Sequence, residues 1–279
     1  MDMQKIKAYF RLMRPLNCLI AGVSVFIGGV ITGSVESVQN LILAVVSAML
    51  ICAGGNSIND YFDIDIDIVN KPFRPLPSGI LSATQALIFS LSLFISGFIV
   101  SFFINVTCII IAGITSVLLY LYSSKLKRTV LFGNAAVAFI SGLAFVYGGV
   151  AVGNISKALI VGIFALLYHF AREIIKDIED TKGDSYVGSR SFPILYGDTA
   201  ALLLTSMILI LLIGITIIPY LLDIFSLYYL IIVVAGVDMF LIYAMVSMWR
   251  NSSVSNLRRL EVMMKINMLM GLLAVYVGR

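Results

Sequence analysis

The sequence predicts an all-α membrane protein, a polytopic bundle of nine transmembrane helices around a central cavity with a cytoplasmic N-terminus. Hydrophobic residues make up 60% of the 279 positions and charged residues only 12%, whereas soluble globular domains are about 45–50% apolar. Apolar runs follow one another along the chain, and Lys and Arg lie mainly in alternate connections. We therefore expect one integral-membrane domain over residues 1–279 rather than a soluble protein.

Nine apolar runs are long enough to cross a bilayer, since one span takes about 20 residues. They cover residues 15–34, 38–58, 84–104, 106–123, 131–152, 157–176, 200–219, 225–248 and 261–278. With the N-terminus in the cytoplasm, all but two of the 19 Lys and Arg residues fall on the cytoplasmic side, as the positive-inside rule requires. The exceptions are Lys157 and Arg279. One span more or fewer would place Lys and Arg residues on both sides of the membrane. We therefore expect a multi-pass protein of the cell membrane with nine spans.

The N-terminal segment is basic, and we expect Arg11 and Arg14 at the level of the lipid headgroups. The apolar stretch that follows is too long for a cleaved signal peptide and lacks a small-residue cleavage pattern, so the first span is expected to stay. Three cysteines, Cys18, Cys52 and Cys108, lie in predicted spans without metal-ligand spacing. We interpret them as small core residues.

The second span runs into a charged stretch, NSINDYFDIDIDIVNKPFRPLPSG, at residues 56–79. On a helix, one arc roughly 100° wide holds Asn56, Asn59, Asp60, Asp63 and Asp67, while Asp65 points to the opposite side. Carboxylates this close repel one another unless cations lie between them. Because hard oxygen ligands favour Mg²⁺ or Ca²⁺, this face predicts a divalent-metal site.

Two other interpretations of this stretch are possible. DIDIDIV alternates with period two, as a half-buried strand does, but a strand leaving a membrane helix would expose unpaired backbone. The D-x-D-x-D pattern also resembles the start of a calcium loop. Counted from Asp63, however, that loop requires Gly at Ile68 and Glu at Arg74. We therefore favour the helix.

Basic residues follow the acidic stretch and end the fourth span. Three prolines within six residues stop any helix after Asp67, which leaves Lys71 and Arg74 in a constrained loop. They are either positive-inside residues or the groups that hold the far side of a metal-bound anion. In YLYSSKLKRT, topology likewise accounts for Lys127, and its reach into a diphosphate site is the alternative.

The sixth span ends in the second acidic segment, YHFAREIIKDIEDTKGD. An arc of roughly 60° holds Glu173, Asp177, Asp180 and Asp184, with Glu179 on the other side. Both acidic segments follow even-numbered spans, so we expect both at the cytoplasmic surface. Two facing acidic helices are typical of a site where two or three Mg²⁺ ions surround a diphosphate and neutralise the charge that develops as it leaves carbon.

Two titratable residues lie away from these segments. We interpret His169, the only histidine, as a hydrogen-bonded residue of the bundle rather than a base. Asp238 is the one carboxylate predicted deep in a span, where charge is functional by default, but the sequence identifies no partner for it.

The acidic segments resemble a known family of membrane enzymes. The first N-D-x-x-D-x-x-x-D motif of the UbiA superfamily of intramembrane prenyltransferases is matched in NDYFDIDID by Asn59, Asp60, Asp63 and Asp67. Its second aspartate-rich motif is matched in DIEDTKGD by Asp177, Asp180 and Asp184. The resemblance runs from RLMRPLN through SFPILYG, more than half the chain.

This resemblance implies Mg²⁺-dependent transfer of a polyprenyl group from its diphosphate to an acceptor, in a helical bundle open sideways to lipid. We expect the metal ions to be held by Asn59, Asp60, Asp63, Asp67, Asp177, Asp180 and Asp184. The expected catalytic residues are Asp63, Asp67, Asp180, Asp184 and Lys127. Substrate is expected to contact Asn56, Asn59, Lys71, Arg74, Tyr122 and Lys127, of which Arg74 and Lys127 reach the diphosphate.

Two stretches, NDYFDIDIDIVNKPFRPLPSG and YSSKLKRTVLFGN, are most similar to the branch of the superfamily that makes archaeal ether lipids. That branch implies geranylgeranyl diphosphate as donor and geranylgeranylglyceryl phosphate as acceptor, whose free hydroxyl attacks C1 to form the second ether bond. Branches that use an aromatic acceptor such as 4-hydroxybenzoate share the donor-side motifs, so both acceptor classes stay open. Asp65 departs from the family pattern and is not assigned to metal.

Two further classes of protein use carboxylates in membrane helices. A CDP-alcohol phosphotransferase would show a D-G-x-x-A-R motif, which the sequence lacks. A divalent-cation transporter would carry its ligands near the bilayer midplane, whereas these lie at one surface. The basic excess follows from topology and contact with anionic lipid, so we expect membrane lipids as partners and no nucleic acid.

Overall fold

The computed structural model describes residues 3–33, 37–186 and 191–279, with the side chains of residues 70 and 182–186 left out. Every regular element in these ranges is helical. The helices are α1 Met3–Met13, α2 Pro15–Val30, α3 Val38–Phe62, α4 Ile64–Asn70, α5 Ala83–Ser101, α6 Val106–Ser124, α7 Phe132–Ala151, α8 Ser156–Tyr186, α9 Phe192–Tyr196, α10 Asp198–Thr216, α11 Ile218–Leu221, α12 Leu227–Ile232, α13 Met239–Arg250 and α14 Val254–Val277. A 3₁₀ turn at Leu126–Arg128 follows α6, and π-helical Val233–Asp238 joins α12 to α13.

The described helices include eight that are long and apolar enough to cross a membrane, or nine if the bent pair α1 and α2 is one span. The two members of that pair meet at 44°. The predicted all-α, multi-pass architecture is therefore confirmed, while the cytoplasmic N-terminus and the central cavity stay predictions. The sixth span continues without a break into the second acidic segment, because α8 has 31 residues.

The Cα positions group into two compact units. Unit 1 contains Met1–Gly29, Ser34–Lys127 and Leu143–Ile155, and unit 2 contains Val30–Gly33, Arg128–Gly142 and Ser156–Arg279. The division falls inside α7. The first acidic segment belongs to unit 1 and the second to unit 2. The single domain over residues 1–279 stays a prediction.

Small residues allow the helices of unit 1 to approach closely, as is usual between membrane helices. A Cβ added at Gly148 on α7 would lie 1.9 Å from the Val25 carbonyl oxygen of α2. Helix α3 is held to α5 by two buried hydrogen bonds, Ser47 Oγ to the Gly97 carbonyl at 2.7 Å and Ser90 Oγ to the Gly54 carbonyl at 2.8 Å. These contacts fix the helix that carries the first acidic segment.

Buried polar groups join the helices of unit 2. Tyr168 on α8 donates to the Met264 carbonyl of α14 at 2.8 Å. On α14, Asn267 Nδ2 donates at 2.7 Å to the Gly236 carbonyl in the π-helical segment. Asp238 is buried, and the partner that the sequence did not identify is the Thr216 hydroxyl, which donates to it at 3.1 Å. This carboxylate thus has a local structural partner inside the bundle.

The three cysteines are free thiols. Cys18 and Cys108 are buried and Cys52 is partly buried. Cys18 Sγ donates to the Met13 carbonyl at 3.1 Å. The interpretation of Cys18 and Cys108 as core residues is confirmed, and Cys52 is less enclosed than expected.

Candidate active site

The first acidic segment is helical, so the strand alternative is wrong. Helix α3 ends at Phe62 and α4 begins at Ile64, with Asp63 between them at φ −97° and ψ 5°. The Asp63 N–H still bonds to the Asn59 carbonyl at 3.0 Å. The acidic residues therefore lie on two successive helices that meet at Asp63, and not on one continuous helix as predicted.

Two aspartates of this segment are buried and bound by arginine. Asp60 is 5% exposed and Asp67 is 4% exposed. Arg74 Nη1 lies 3.2 Å from Asp60 Oδ1 and 2.5 Å from Asp67 Oδ2. The guanidinium of Arg14 also binds Asp60 Oδ1. Burial of a carboxylate is tolerated only when it is paired in this way.

The third aspartate, Asp63, is bound by a lysine and an amide. The Lys127 ammonium contacts Asp63 Oδ1 and lies 3.4 Å from Asn59 Oδ1. Asn59 Nδ2 donates to Asp63 Oδ2 at 2.8 Å. Lys127 is brought there by the 3₁₀ turn after α6. The structure thus brings Arg74 and Lys127 to the motif carboxylates, and their contacts with a diphosphate stay a prediction.

Arg14 is the residue of this cluster that sequence reasoning missed, because topology alone explained it as a headgroup anchor. It lies between α1 and α2 with φ 52°, a left-handed conformation that costs a residue with a Cβ about 1–2 kcal/mol. Such strained backbone is frequent at functional sites. The signal available in the sequence was the Arg-Pro step, since Pro15 opens α2 and forces a new start of the helix.

The other residues predicted around the first segment lie outside the ion pairs. Asn56 Nδ2 donates to the Met13 carbonyl at 2.9 Å, so it ties α3 to the end of α1 instead of joining the acidic face. Lys71 is exposed and forms no ion pair with the described residues. Tyr122 is partly buried in the last turn of α6. Asp65 is exposed, which confirms its position away from the other carboxylates.

The second acidic segment forms the C-terminal part of α8. Asn134 Nδ2 on α7 donates to Asp177 Oδ2 at 2.8 Å. Asp180 belongs to the same helix, and the side chain of Asp184 lies outside the described residues. On the opposite side, Glu179 binds Arg258 of α14 at 2.7 Å. The orientation predicted for Glu179 is therefore confirmed.

Glu173 belongs to a buried ion network instead of a group of metal ligands. Arg172 Nη1 lies 3.0 Å from Glu173 Oε1, and Lys176 Nζ lies 3.6 Å from Glu173 Oε2. The same arginine binds Glu261 of α14, which also binds Lys265 at 2.9 Å. This network fixes α8 to α14.

His169 is partly buried on the same helix. Its Nδ1 has no hydrogen-bond partner among the described residues, so the hydrogen bond expected for this histidine is absent at that atom.

The residue types of the first segment fit Mg²⁺, but their arrangement is one of ion pairs. In the described part of the chain, no three carboxylate, thiolate or imidazole groups come close enough to hold one metal ion. Asp60, Asp63 and Asp67 are instead each in contact with Arg or Lys. In Asp60 and Asp67, one oxygen each, Oδ1 and Oδ2 respectively, accepts hydrogen bonds from described residues. Each retains a second oxygen of the kind Mg²⁺ prefers.

The chain is similar to known proteins over most of its length. The model of the UbiA prenyltransferase family matches residues 21–269. Digeranylgeranylglyceryl phosphate synthase of Methanococcus maripaludis is 42% identical over 239 residues, which are 85% of each chain. A solved structure, described as giving insights into the biosynthesis of digeranylgeranylglyceryl phosphate synthase in membranes, is 38% identical with a TM-score of 0.85 and 99% coverage of both chains.

A more distant solved structure shares the fold. It is a UbiA homologue from Archaeoglobus fulgidus bound to GPP and Mg²⁺. It is 20% identical with a TM-score of 0.74, and the alignment covers 97% of this chain and 99% of that one.

Proposed function

The chain belongs to the UbiA prenyltransferase family, and from this premise we propose that it transfers a geranylgeranyl group from geranylgeranyl diphosphate to geranylgeranylglyceryl phosphate. The acceptor oxygen is the free hydroxyl of the glycerol, and the product carries the second ether bond of an archaeal lipid. The chain is 42% identical to the digeranylgeranylglyceryl phosphate synthase of Methanococcus maripaludis over most of both chains, which supports this choice of substrates. The proposal places the site at the cytoplasmic side of the cell membrane.

The observation that carries the proposal is the balance of charge in the first acidic segment. Three carboxylates, Asp60, Asp63 and Asp67, are bound by three cations, Arg14, Arg74 and Lys127. A magnesium diphosphate also carries both signs of charge, a cationic metal and an anionic diphosphate. Its anionic oxygens suit the guanidinium and ammonium groups, and its metal suits the carboxylates. Substrate binding then exchanges ion partners and leaves no buried charge unpaired.

Each side chain has a separate part in this exchange. Arg74 and Lys127 donate to the diphosphate, where fixed donors stabilise the charge that develops on a leaving group. Metal ligands come from both acidic segments, Asn59, Asp60, Asp63, Asp67, Asp177, Asp180 and Asp184. Bound Mg²⁺, which the A. fulgidus homologue holds together with GPP, supplies further neutralisation of the departing anion.

The reaction is a substitution at C1 of the donor. The bond from C1 to the diphosphate oxygen breaks, and its electron pair leaves with the diphosphate. The allylic carbon that remains is stabilised by resonance, so the chain needs mainly to hold the anion and to align the two substrates. The glycerol hydroxyl oxygen then bonds to C1, and its proton passes to the released diphosphate or to water.

A direct test supplies the purified protein in detergent with radiolabelled geranylgeranyl diphosphate and Mg²⁺. Geranylgeranylglyceryl phosphate and 4-hydroxybenzoate are offered side by side. We expect label in the ether lipid only. Label in 4-hydroxybenzoate alone would refute the archaeal-lipid assignment, and Mg²⁺ flux in proteoliposomes without any prenyl substrate would favour the transporter.

A further inference from the structure

Each acidic segment contains one aspartate that is bound by an asparagine amide of its own unit. In unit 1, Asn59 Nδ2 donates to Asp63 Oδ2 at 2.8 Å. In unit 2, Asn134 Nδ2 donates to Asp177 Oδ2 at the same distance of 2.8 Å. An ionised carboxylate can only accept hydrogen bonds, so the amide nitrogen has to be the atom that faces it. The same hydrogen bond, from an asparagine amide to an aspartate carboxylate, thus recurs in the two segments.

The chain path before α7 sets the position of Asn134. Leu131, directly before the helix begins at Phe132, has φ 58°, an unfavourable value for a residue with a Cβ. The Ala135 N–H bonds to the Leu131 carbonyl at 2.8 Å and closes the first turn. Asn134 lies in this turn and is 8% exposed. The left-handed backbone at Leu131 therefore precedes the helical turn that places the buried Asn134 amide against Asp177.

We infer that Asn134 is a positioning residue that orients Asp177 for Mg²⁺. This inference rests on the proposed function. By holding Oδ2, the amide fixes the plane of the carboxylate and hence the direction of Oδ1. Groups that hydrogen-bond to a metal ligand keep it in the ligating orientation, and their loss lowers metal affinity or activity by about 10- to 100-fold. The family motif gave Asn134 no role.

The test compares Asn134→Ala, Asp177→Ala and the double variant in the full-length protein. The matched control is Ser141→Ala, two turns along α7. Among the described residues, its hydroxyl bonds only within its own helix, to the Val137 carbonyl at 2.8 Å. Binding of Mn²⁺ in the presence of inorganic diphosphate is measured by electron paramagnetic resonance. We expect Asn134→Ala to weaken Mn²⁺ binding about 10-fold or more, and Ser141→Ala to bind as the wild type does.

The double variant separates positioning from general damage. If Asn134 acts through Asp177, adding Asn134→Ala to Asp177→Ala has no further effect, because the two effects are coupled. In prenyl transfer, Asn134→Ala should raise the Mg²⁺ concentration for half-maximal rate while saturating Mg²⁺ restores most of the rate. Where Asn134→Ala does not fold, Asn134→Leu keeps about the same side-chain size and removes the amide donor, and it should weaken Mn²⁺ binding as Asn134→Ala does.

Equal Mn²⁺ binding by wild type and both Asn134 variants would overturn the inference. A double variant that binds more weakly than Asp177→Ala would overturn it too, since the amide would then act by another route. A wild type that binds Mn²⁺ and diphosphate but transfers no geranylgeranyl group would instead refute the proposed function, and the Mn²⁺ comparison would still decide the role of Asn134.

Discussion

Arg14 binds Asp60 across 46 positions of sequence, and it does so from a left-handed backbone conformation at the junction of α1 and α2. The first acidic segment is therefore attached to the beginning of the chain as well as to its own loop through Arg74. This ion pair makes the N-terminal junction part of the charge balance on which the proposed function depends.

We predict that Arg14→Ala lowers both stability and activity. Removing one partner of a fully buried pair costs about 3–5 kcal/mol, but Arg14 is one-third exposed and Asp60 keeps Arg74, so the loss should fall well below that range. The thermal unfolding midpoint in detergent and the transfer rate measure the two effects. Arg11→Ala, one turn earlier and exposed on α1, is the control. An effect of equal size there would show that Asp60 is not the reason.

We predict that Asp63→Ala and Asp65→Ala differ sharply, although the two residues are two positions apart. Asp63 binds Lys127 and Asn59, whereas Asp65 is exposed. Loss of a group that stabilises the leaving anion lowers the rate by about 10²–10³-fold. We expect a loss of this order for Asp63→Ala and less than a twofold change for Asp65→Ala in the radiolabel assay. If Asp63→Ala transferred as fast as Asp65→Ala, Asp63 would have no part in the reaction.

We predict that Lys127→Ala lowers the rate of transfer and weakens binding of the diphosphate, while Lys125→Ala leaves both unchanged. Lys127 reaches the Asp63 carboxylate, and Lys125 is exposed. The expected loss for Lys127→Ala is about 10²-fold, as for a missing donor to a developing anion. The rate is measured over a range of geranylgeranyl diphosphate concentrations. If Lys125→Ala is the more damaging variant, the assignment of Lys127 is wrong.

We predict that Mg²⁺ and inorganic diphosphate stabilise the protein only in combination. Because Arg14, Arg74 and Lys127 already neutralise the three carboxylates, either ion alone would have to displace a partner without replacing it. A ligand at 100 times its Kd adds about 2.7 kcal/mol of stability, which is measured as a rise in the unfolding midpoint. Addition of EDTA should remove the rise. A full shift with Mg²⁺ alone would contradict the partner-exchange model.

The helical part of the site follows from periodicity, but its contacts do not. The spacing of Asp60 and Asp67 puts them on one face of any helix, and the exposed position of Asp65 follows from the same period. The bend at Asp63 and the ion pair from Arg14 depend on packing between distant segments, which local patterns do not encode. Glu173 shows the same limit, because its helical arc matches the motif aspartates while its neighbour Arg172 is bound to Glu261, 89 positions away.

Helix α8 continues for 31 residues, about 46 Å at the usual rise of an α-helix, and the hydrocarbon core of a bilayer is about 30 Å thick. Asp177 and Asp180 lie on the same unbroken helix as the predicted sixth span, so a rotation of that helix about its axis turns both through the same angle. The first acidic segment instead breaks at Asp63, so Asp60 and Asp67 lie on two successive helices. The direction of the second set of carboxylates is thus set by one long helix, and that of the first set by the junction of two helices.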